Sequence, residues 1–355
     1  MVRCVLVGTS ESAVSDDAPG RTRATDEDLD LIRTTAAQVF GDGSGGLPVL
    51  GAMGWLGLLS TVDVGGSGWL PVEAAVVAGE AGKAREELGW ASATLGAGAV
   101  SVAAEAVGDR WGPGALDGTA PVRWVHVEGV TVDRAGSSVR VSGAATHVVA
   151  AASASAFVLA GEGELHLVEA ADPEVAFVED PSSLDTRPGV QQVVFRSARA
   201  TPLPIGAATT GELRSAALLL GATSAAGPLS LAVDRLAAYL SERVAFGAPI
   251  ASFQAIQHRI VDLYVVQRQF EAVLQRAARR LEILAPDSLR AACIAHAYVA
   301  DRIVPALDEC IQLSGGIGFV WEYPLHHEMR SALTDANQFG TSRSSRASLA
   351  DIEGW

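Results

Sequence analysis

Apolar positions in the last third of the chain recur at helical spacing. Leu229, Val233, Leu236 and Leu240 are separated by four, three and four residues, which puts them on one face of a helix. Ile256, Ile260, Leu263, Phe270, Leu274, Ala277 and Leu281 extend a stripe along a second long helix. Leu289, Ala292, Val299, Ile303, Leu307 and Ile311 mark a third. Pro286-Asp287-Ser288 is a helix-start signal and Gly315-Gly316 a stop signal. A shorter fourth helix is predicted from roughly Leu325 to Gln338, and four helices with short connections predict an antiparallel bundle. Pro228 and Pro305 fall inside helical pattern, and each predicts a kink or an interruption.

Upstream the period changes. From about Val122 to Ala198 the chain turns to β-branched residues in short alternations, VRWVHVEGVTV, SSVRVSG, HVVAAA, FVLAG, ELHLVEA and QQVVFRSA, with turn signals such as Arg134-Ala135-Gly136-Ser137 between them. That predicts several short antiparallel strands in a small barrel or sandwich. The most apolar long run, Ala144 to Gly161, contains His147 and several serines, so it reads as a soluble strand pair and not a membrane span. Before it lie helical runs such as Thr25–Phe40 and Val72–Lys83. Asp26-Glu27-Asp28 places carboxylates at the positive end of the first helix. The expected fold class is therefore α+β multidomain. An N-terminal α-helical domain (1–115) is followed by a middle antiparallel β domain (116–205) and a C-terminal four-helix bundle (206–355).

Composition narrows the function. The 355 residues are 49% hydrophobic and 19% charged, a globular mixture able to bury two or three cores. The net charge of −15 argues against nucleic acid or an anionic membrane as partner. An anionic ligand would need a local basic patch. Cys4, Cys293 and Cys310 are odd in number and lack CxxC spacing, which disfavours a disulfide framework or a zinc site and favours a reducing, cytoplasmic setting. Met1–Gly20 does not have the pattern of a signal peptide.

Four patterns follow one another in the C-terminal half: Arg243-Val244-Ala245-Phe246-Gly247 after a long helix; Phe253-Gln254-Ala255-Ile256-Gln257-His258 opening the next; Gln312-Leu313-Ser314-Gly315-Gly316-Ile317-Gly318-Phe319 closing the third; and Glu322-Tyr323-Pro324, Arg330 and Gly340-Thr341. Together they resemble the acyl-CoA dehydrogenase family, flavoproteins that desaturate acyl-CoA thioesters between Cα and Cβ. Leu50–Leu58, Val64–Gly68 and Glu80-Ala81-Gly82 resemble N-terminal segments of the same family. The resemblance implies FAD. Arg243 would meet its pyrophosphate by charge-assisted hydrogen bonds, Gln254 and Gln312 would reach its ring, ribose or phosphate oxygens, and Gly315 and Gly316 would allow close backbone approach. Phe246 and Phe253 belong to the same cofactor-facing set. In the family these elements reach the flavin of a neighbouring subunit.

The chain departs from the family where chemistry is done. The base that takes the substrate α-proton stands directly before Gly-Thr in most members, and here that position is Phe339. The alternative base position on the first bundle helix falls at Ala217, and Glu212 lies more than a turn away. No "TEP…GSD" segment exists between Ala104 and Gly143, and His147 stands near the tryptophan position of "KxWIT". His147 is expected to be a half-buried strand histidine, His296 a packing histidine, and His326-His327-Glu328 a solvated helix face and not a metal site. The pattern resembles the base-lacking subunit of actinobacterial α2β2 acyl-CoA dehydrogenases, which act on bulky thioesters such as steroid side-chain CoAs. It implies a sister subunit that carries the catalytic Glu, an acyl-CoA substrate, and room for an electron-transfer-flavoprotein-type acceptor. The alternatives are a non-catalytic scaffold or binder with the same fold, and a flavoenzyme of altered chemistry such as biosynthetic desaturation or N-hydroxylation.

Overall fold

The computed structural model describes residues 24–355 apart from 44, 137, 161 and 162. Met1–Gly20 with Cys4, and Ser137 of the expected turn, lie outside the described residues. Helix α1 (Asp26–Gly41) begins at a capping box. The Thr25 hydroxyl accepts from the Asp28 N–H at 3.2 Å, and the Asp28 carboxylate accepts from the Thr25 N–H at 2.9 Å. Next come α2 (Leu47–Ala52), a two-strand ladder of β1 (Leu59–Ser60) and β2 (Gly68–Trp69), α3 (Pro71–Lys83), α4 (Trp90–Val102) and α5 (Asp109–Asp117). Every residue of α4 from Trp90 to Ser101 is buried, so this helix has no solvent face and forms the middle of the N-terminal layer.

The sheet region contains β3 (Val122–His126), β4 (Glu128–Ala135), β5 (Ser138–Val148), β6 (Ala156–Ala160), β7 (His166–Glu169), β8 (Val175–Glu179) and β9 (Gln191–Pro202). They pair in the order β3-β6-β7-β9-β5-β4, with β8 also on β9. One expectation needs correction. The β3–β6 pair is parallel, in register Val122↔Ala156 to His126↔Ala160, and the remaining ladders of the sheet are antiparallel. A parallel pair needs a crossover, and the β4–β5 hairpin supplies it. The period of two sorts side chains between two cores. Trp124 and Val158 face the helical layers, whereas Val125, Phe157 and Leu159 join Val141 and Phe195 in the sheet's own core.

Five helices complete the chain: α6 (Ala207–Glu242), α7 (Gln254–Glu282), α8 (Ser288–Ser314), α9 (Leu325–Asn337) and α10 (Ser342–Glu353). The hairpin of β10 (Val244–Ala245) and β11 (Ala248–Pro249) lies between α6 and α7. Neither Pro228 nor Pro305 interrupts its helix. Pro228 is buried where α6 crosses α3 at backbone contact; a Cβ on Gly227 would lie 2.4 Å from the Gly79 carbonyl. Packing of the apolar stripe holds the helix through the missing N–H. Among the described residues α6 is the one single helix long and apolar enough to cross a membrane, and 72% of its most apolar window is buried inside the fold.

Candidate functional site

Two places collect the residues singled out by sequence, and they differ in every physical respect. The first is an exposed corner at one end of the bundle. Helix α6 stops at Arg243, whose N–H donates to the Tyr239 carbonyl and whose carbonyl accepts from the Ile250 N–H at 2.8 Å. The chain then turns through Phe246 and Gly247, both at positive φ (54° and 82°). That turn pushes Phe246 into solvent, where it is 98% exposed and meets only the edge of Phe253 at 6.4 Å. Among the described residues the exposed Arg243 guanidinium makes no ion pair. Gln254, the first residue of α7, is also exposed.

Gln312, Gly315 and Gly316 are exposed at the far end of α8. The Arg259 guanidinium at the start of α7 pairs with Glu309 near the end of α8, with one contact of 2.6 Å. This pairing brings the start of α7 beside the end of α8, so the two groups share one end of the bundle. A Cβ on Gly315 or Gly316 would meet nothing of this chain within 4 Å, and Gly315 has φ +64°. An uncommitted cation, two amide side chains, two aromatic rings and an open glycine backbone form the donor set that a dinucleotide's pyrophosphate and adenosine require. The chain's residues at this corner fit FAD.

The second place is closed. Phe339 sits between α9 and α10 and is 5% exposed. A Cβ on Gly221 would lie 3.1 Å from its ring, so α6 has no side chain there for the ring to displace. Phe339, Ala217, Leu218, Trp124, His126 and Arg214 enclose a cavity of about 30 Å³. That is room for one or two waters, and for neither an acyl thioester nor a flavin ring. Glu212 is not among the cavity's lining residues, and partial burial raises its carboxyl above the usual range. Among the described residues no carboxylate lines the cavity.

His147 occupies a strained position at φ +58°. Its backbone N–H donates to Asp180 Oδ2 at 2.5 Å, while its ring Nδ1 stays 3.9 Å from the same oxygen. Burial lowers the imidazole's pKa, with the Asp180 charge opposing. Asp180 is therefore bonded by the His147 backbone, and the ring Nδ1 has no hydrogen-bond partner among the described residues. His296 is fully buried, with Nδ1 2.8 Å from Ser345 Oγ and Nε2 2.9 Å from the Ala336 carbonyl, and burial pulls its pKa down to about 4. The two imidazoles of His326 and His327 both reach the Trp321 carbonyl, and Glu328 is buried against Arg235 at 2.8 Å. Those contacts correct the expectation of a solvated face.

Sequence reasoning missed the charged network behind the closed cleft. Arg187, on the β8–β9 connection, donates to Asp185 and to Asp335 of α9 at 2.7 Å each, and to the Glu86 carbonyl. Burial opposes its charge, and the Asp335 and Asp185 carboxylates outweigh that effect and raise its pKa. Glu86 caps α4 through the Leu88 and Trp90 N–H groups. Arg123 of β3 is 0% exposed and binds the Leu88 and Gly89 carbonyls and two serines; burial lowers its pKa to about 10. The available signal was an arginine inside the apolar strand run VRWV. A further cavity of about 540 Å³ lies between α1, α3, α6 and α7, floored by Val72, Val76, Phe270 and Leu274. No motif pointed to it.

Residues 207–352 match the family model described as acyl-CoA dehydrogenase, C-terminal domain. Acyl-CoA dehydrogenase IpdE2 of Mycolicibacterium smegmatis is 32% identical over 147 residues, 41% of this chain and 45% of that protein. Acyl-CoA dehydrogenase FadE34 of Mycobacterium tuberculosis is 29% identical over 293 residues, 80% of this chain and 39% of that protein. The chain thus spans under half the length of these curated relatives. Among solved structures, a variant of the Tcur3481-Tcur3483 steroid ACAD superposes with a TM-score of 0.81 at 23% identity, covering 92% of this chain and 98% of that one. The ChsE4-ChsE5 complex of Mycobacterium tuberculosis gives 0.76 at 22% identity, covering 94% and 98%.

Proposed function

The chain belongs to the acyl-CoA dehydrogenase family, and on that premise we propose that it is the base-lacking subunit of a heteromeric, FAD-dependent acyl-CoA dehydrogenase. The observation that carries this reading is the contrast between the two places. The cleft at Phe339 and Ala217 is closed to about 30 Å³, while Arg243, Phe246, Gln254, Gln312, Gly315 and Gly316 stand exposed at one bundle end. A subunit that desaturated its own substrate would need an open cleft with a carboxylate at Phe339 or Ala217. FAD, when bound, supplies the acceptor for the hydride that leaves substrate Cβ.

This chain's part is to bind and orient. Arg243 neutralises pyrophosphate charge by charge-assisted hydrogen bonds. Gln254 and Gln312 direct amide donors and acceptors to the adenosine half. Phe246, exposed and aromatic, packs against the sister subunit or the cofactor it holds. Gly315 and Gly316 let that cofactor lie against the backbone. The sister subunit supplies the Glu that takes the α-proton and the sheet face that cradles the flavin ring. A bulky, steroid-like acyl-CoA is the favoured substrate class, because one structural neighbour is a steroid ACAD. The setting is cytoplasmic, and an electron-transfer-flavoprotein-type acceptor takes the electrons onward.

The test is colour and turnover. The chain purified alone is expected to bind little FAD and to desaturate no acyl-CoA. Co-expressed with a Glu-bearing sister, it is expected to yield a yellow, active complex. A yellow, active protein without any partner would overturn the proposal in favour of an independent flavoenzyme. A complex that stays colourless would favour a scaffold.

A further inference from the structure

The cavity of about 540 Å³ between α1, α3, α6 and α7 takes no part in the flavin reading. It lies on the far side of α6 from the closed cleft. Ala226 lines it and Ala217 lines the cleft; nine residues, or two and a half turns, put them on opposite faces of the helix. The lining runs from Val72 to Lys83 along α3 and from Gln267 to Arg279 along α7. At about 1.5 Å per residue both helices wall a trough about 16–18 Å long. A volume of about 540 Å³ spread over that length leaves a width of about 6 Å. The space exists because Ala75 and Gly79 of α3 and Ala226 and Gly227 of α6 face it with little or no side chain. A Cβ on Gly79 would meet nothing nearer than Thr223 Cγ2 at 3.6 Å, an ordinary contact.

The rim is charged, and its balance runs against the rest of the molecule. Arg33, Lys83, Arg268 and Arg279 line the trough against two carboxylates, Glu80 and Glu271, in a chain whose net charge is −15. Each cation pairs with an acid three residues away on its own helix: Arg33 with Asp30, Lys83 with Glu80, Arg268 with Glu271 and Arg279 with Glu282. Pairs of this kind are weak, so an incoming carboxylate displaces one at small cost. The cations mark both ends. Lys83 is the last residue of α3, and Arg279 comes near enough to the first turn of α3 for its charge to act on Glu73.

We propose that this trough binds one long-chain fatty carboxylate. Its alkyl chain lies along Val72, Val76, Phe270 and Leu274, and its carboxylate meets the cations at one end. The volume is in the range of small-molecule sites. The width selects the occupant: a partner helix, about 10–12 Å across with its side chains, does not enter, and a single alkyl chain does. Apolar burial supplies the affinity, and the cationic rim selects an anionic head. The ligand joins α1 and α3 of the N-terminal layer to α6 and α7 of the bundle, so its binding stabilises the fold. The proposal stands apart from the flavin reading and shares no residue with it.

The experiment uses the full chain without a sister subunit, so that no second cleft competes; its own cleft at Phe339 is closed to about 30 Å³. Calorimetric titration with dodecanoate below its micelle concentration is expected to show saturable binding, one per chain, and a raised Tm. Dodecanol, which lacks the charge, is expected to bind roughly tenfold more weakly. Cholate, a carboxylate whose fused rings are wider than one alkyl chain, is expected to bind more weakly than dodecanoate. Gly79→Leu fills the trough with a better helix former and is expected to weaken dodecanoate binding roughly tenfold, with the circular dichroism spectrum unchanged. Of Lys83→Gln and Arg279→Gln, the one at the head-group end is expected to weaken binding and reduce its salt dependence. Absence of saturable dodecanoate binding, or wild-type affinity in Gly79→Leu, would overturn the proposal. So would equal affinity for dodecanol or cholate, or wild-type affinity in both charge variants.

Discussion

Replacing Phe339 with alanine tests whether the cleft is closed by that ring. Phe339 is 5% exposed, and its ring packs against α6 at Gly221, where a Cβ would lie 3.1 Å away. Truncation removes about 150 Å² of buried apolar surface. At about 25 cal/mol per Å² that is about 4 kcal/mol, in line with the roughly 3–5 kcal/mol typical of buried Phe→Ala changes. The existing cavity of about 30 Å³ offers no slack into which neighbours have already relaxed. The assay is urea unfolding followed by circular dichroism at one fixed protein concentration, because association shifts apparent stability. An unchanged slope with a midpoint shift worth about 4 kcal/mol is expected. A loss under about 1 kcal/mol would refute the reasoning, since it would mean that the ring lies in a solvated space that a ligand can enter.

Arg187→Met leaves Asp185 and Asp335 buried without their cation and is expected to cost about 3–5 kcal/mol at pH 7; a loss near zero in the same assay would remove the network from the account. His296, ordinary at 6.5 and lowered to about 4 by burial, stays neutral in the fold while the unfolded chain takes up a proton. Stability is therefore expected to be full above pH 6.5 and to fall by about 3 kcal/mol as pH drops towards 4. His296→Gln should flatten that part of the profile, and an unchanged profile would contradict the assignment. Arg243→Ala is expected to weaken FAD retention by the complex about ten- to a hundredfold, and full flavin occupancy after dialysis would make Arg243 a helix-end charge only. Phe339→Glu is expected to restore no activity to the chain alone, checked by acyl-CoA turnover, because no room for a thioester is created.

The bundle was legible because its core follows the helical period. Leu229, Val233, Leu236 and Leu240 are all 0% exposed, and α8 ends one residue before Gly315. Pro228 and Pro305 interrupt neither helix, because local propensity says nothing of the tertiary packing that carries a helix through them. Helix α10 was not anticipated: its capping box pairs Thr341 with Ser344 and not with Glu or Gln, and its polar sequence shows little stripe. The parallel β3–β6 pair joins strands separated by a hairpin, a long-range choice that alternation cannot reveal. At the site, Phe339 and Ala217 were nameable as the positions where the family resemblance implies a base. The closure of the space between them depends on how near α6 and α9 approach at Gly221, and that distance is written in no single motif. Arg187, Asp335 and Glu86 are far apart in sequence, and each alone looks like a surface charge.

The central claim is that this chain donates cofactor contacts and holds no flavin ring of its own. Native mass spectrometry with flavin quantitation on the complex co-expressed with its Glu-bearing sister tests it most directly. On the proposed pairing, closed two-fold symmetry would match each sister's cradle with one donated Arg243 corner. The account predicts a tetramer of two subunits of each kind with half as many flavins as subunits. Arg243→Ala in this chain should lower occupancy at every one of those sites. A flavin for every subunit, or a flavin-loaded homotetramer of this chain, would contradict it.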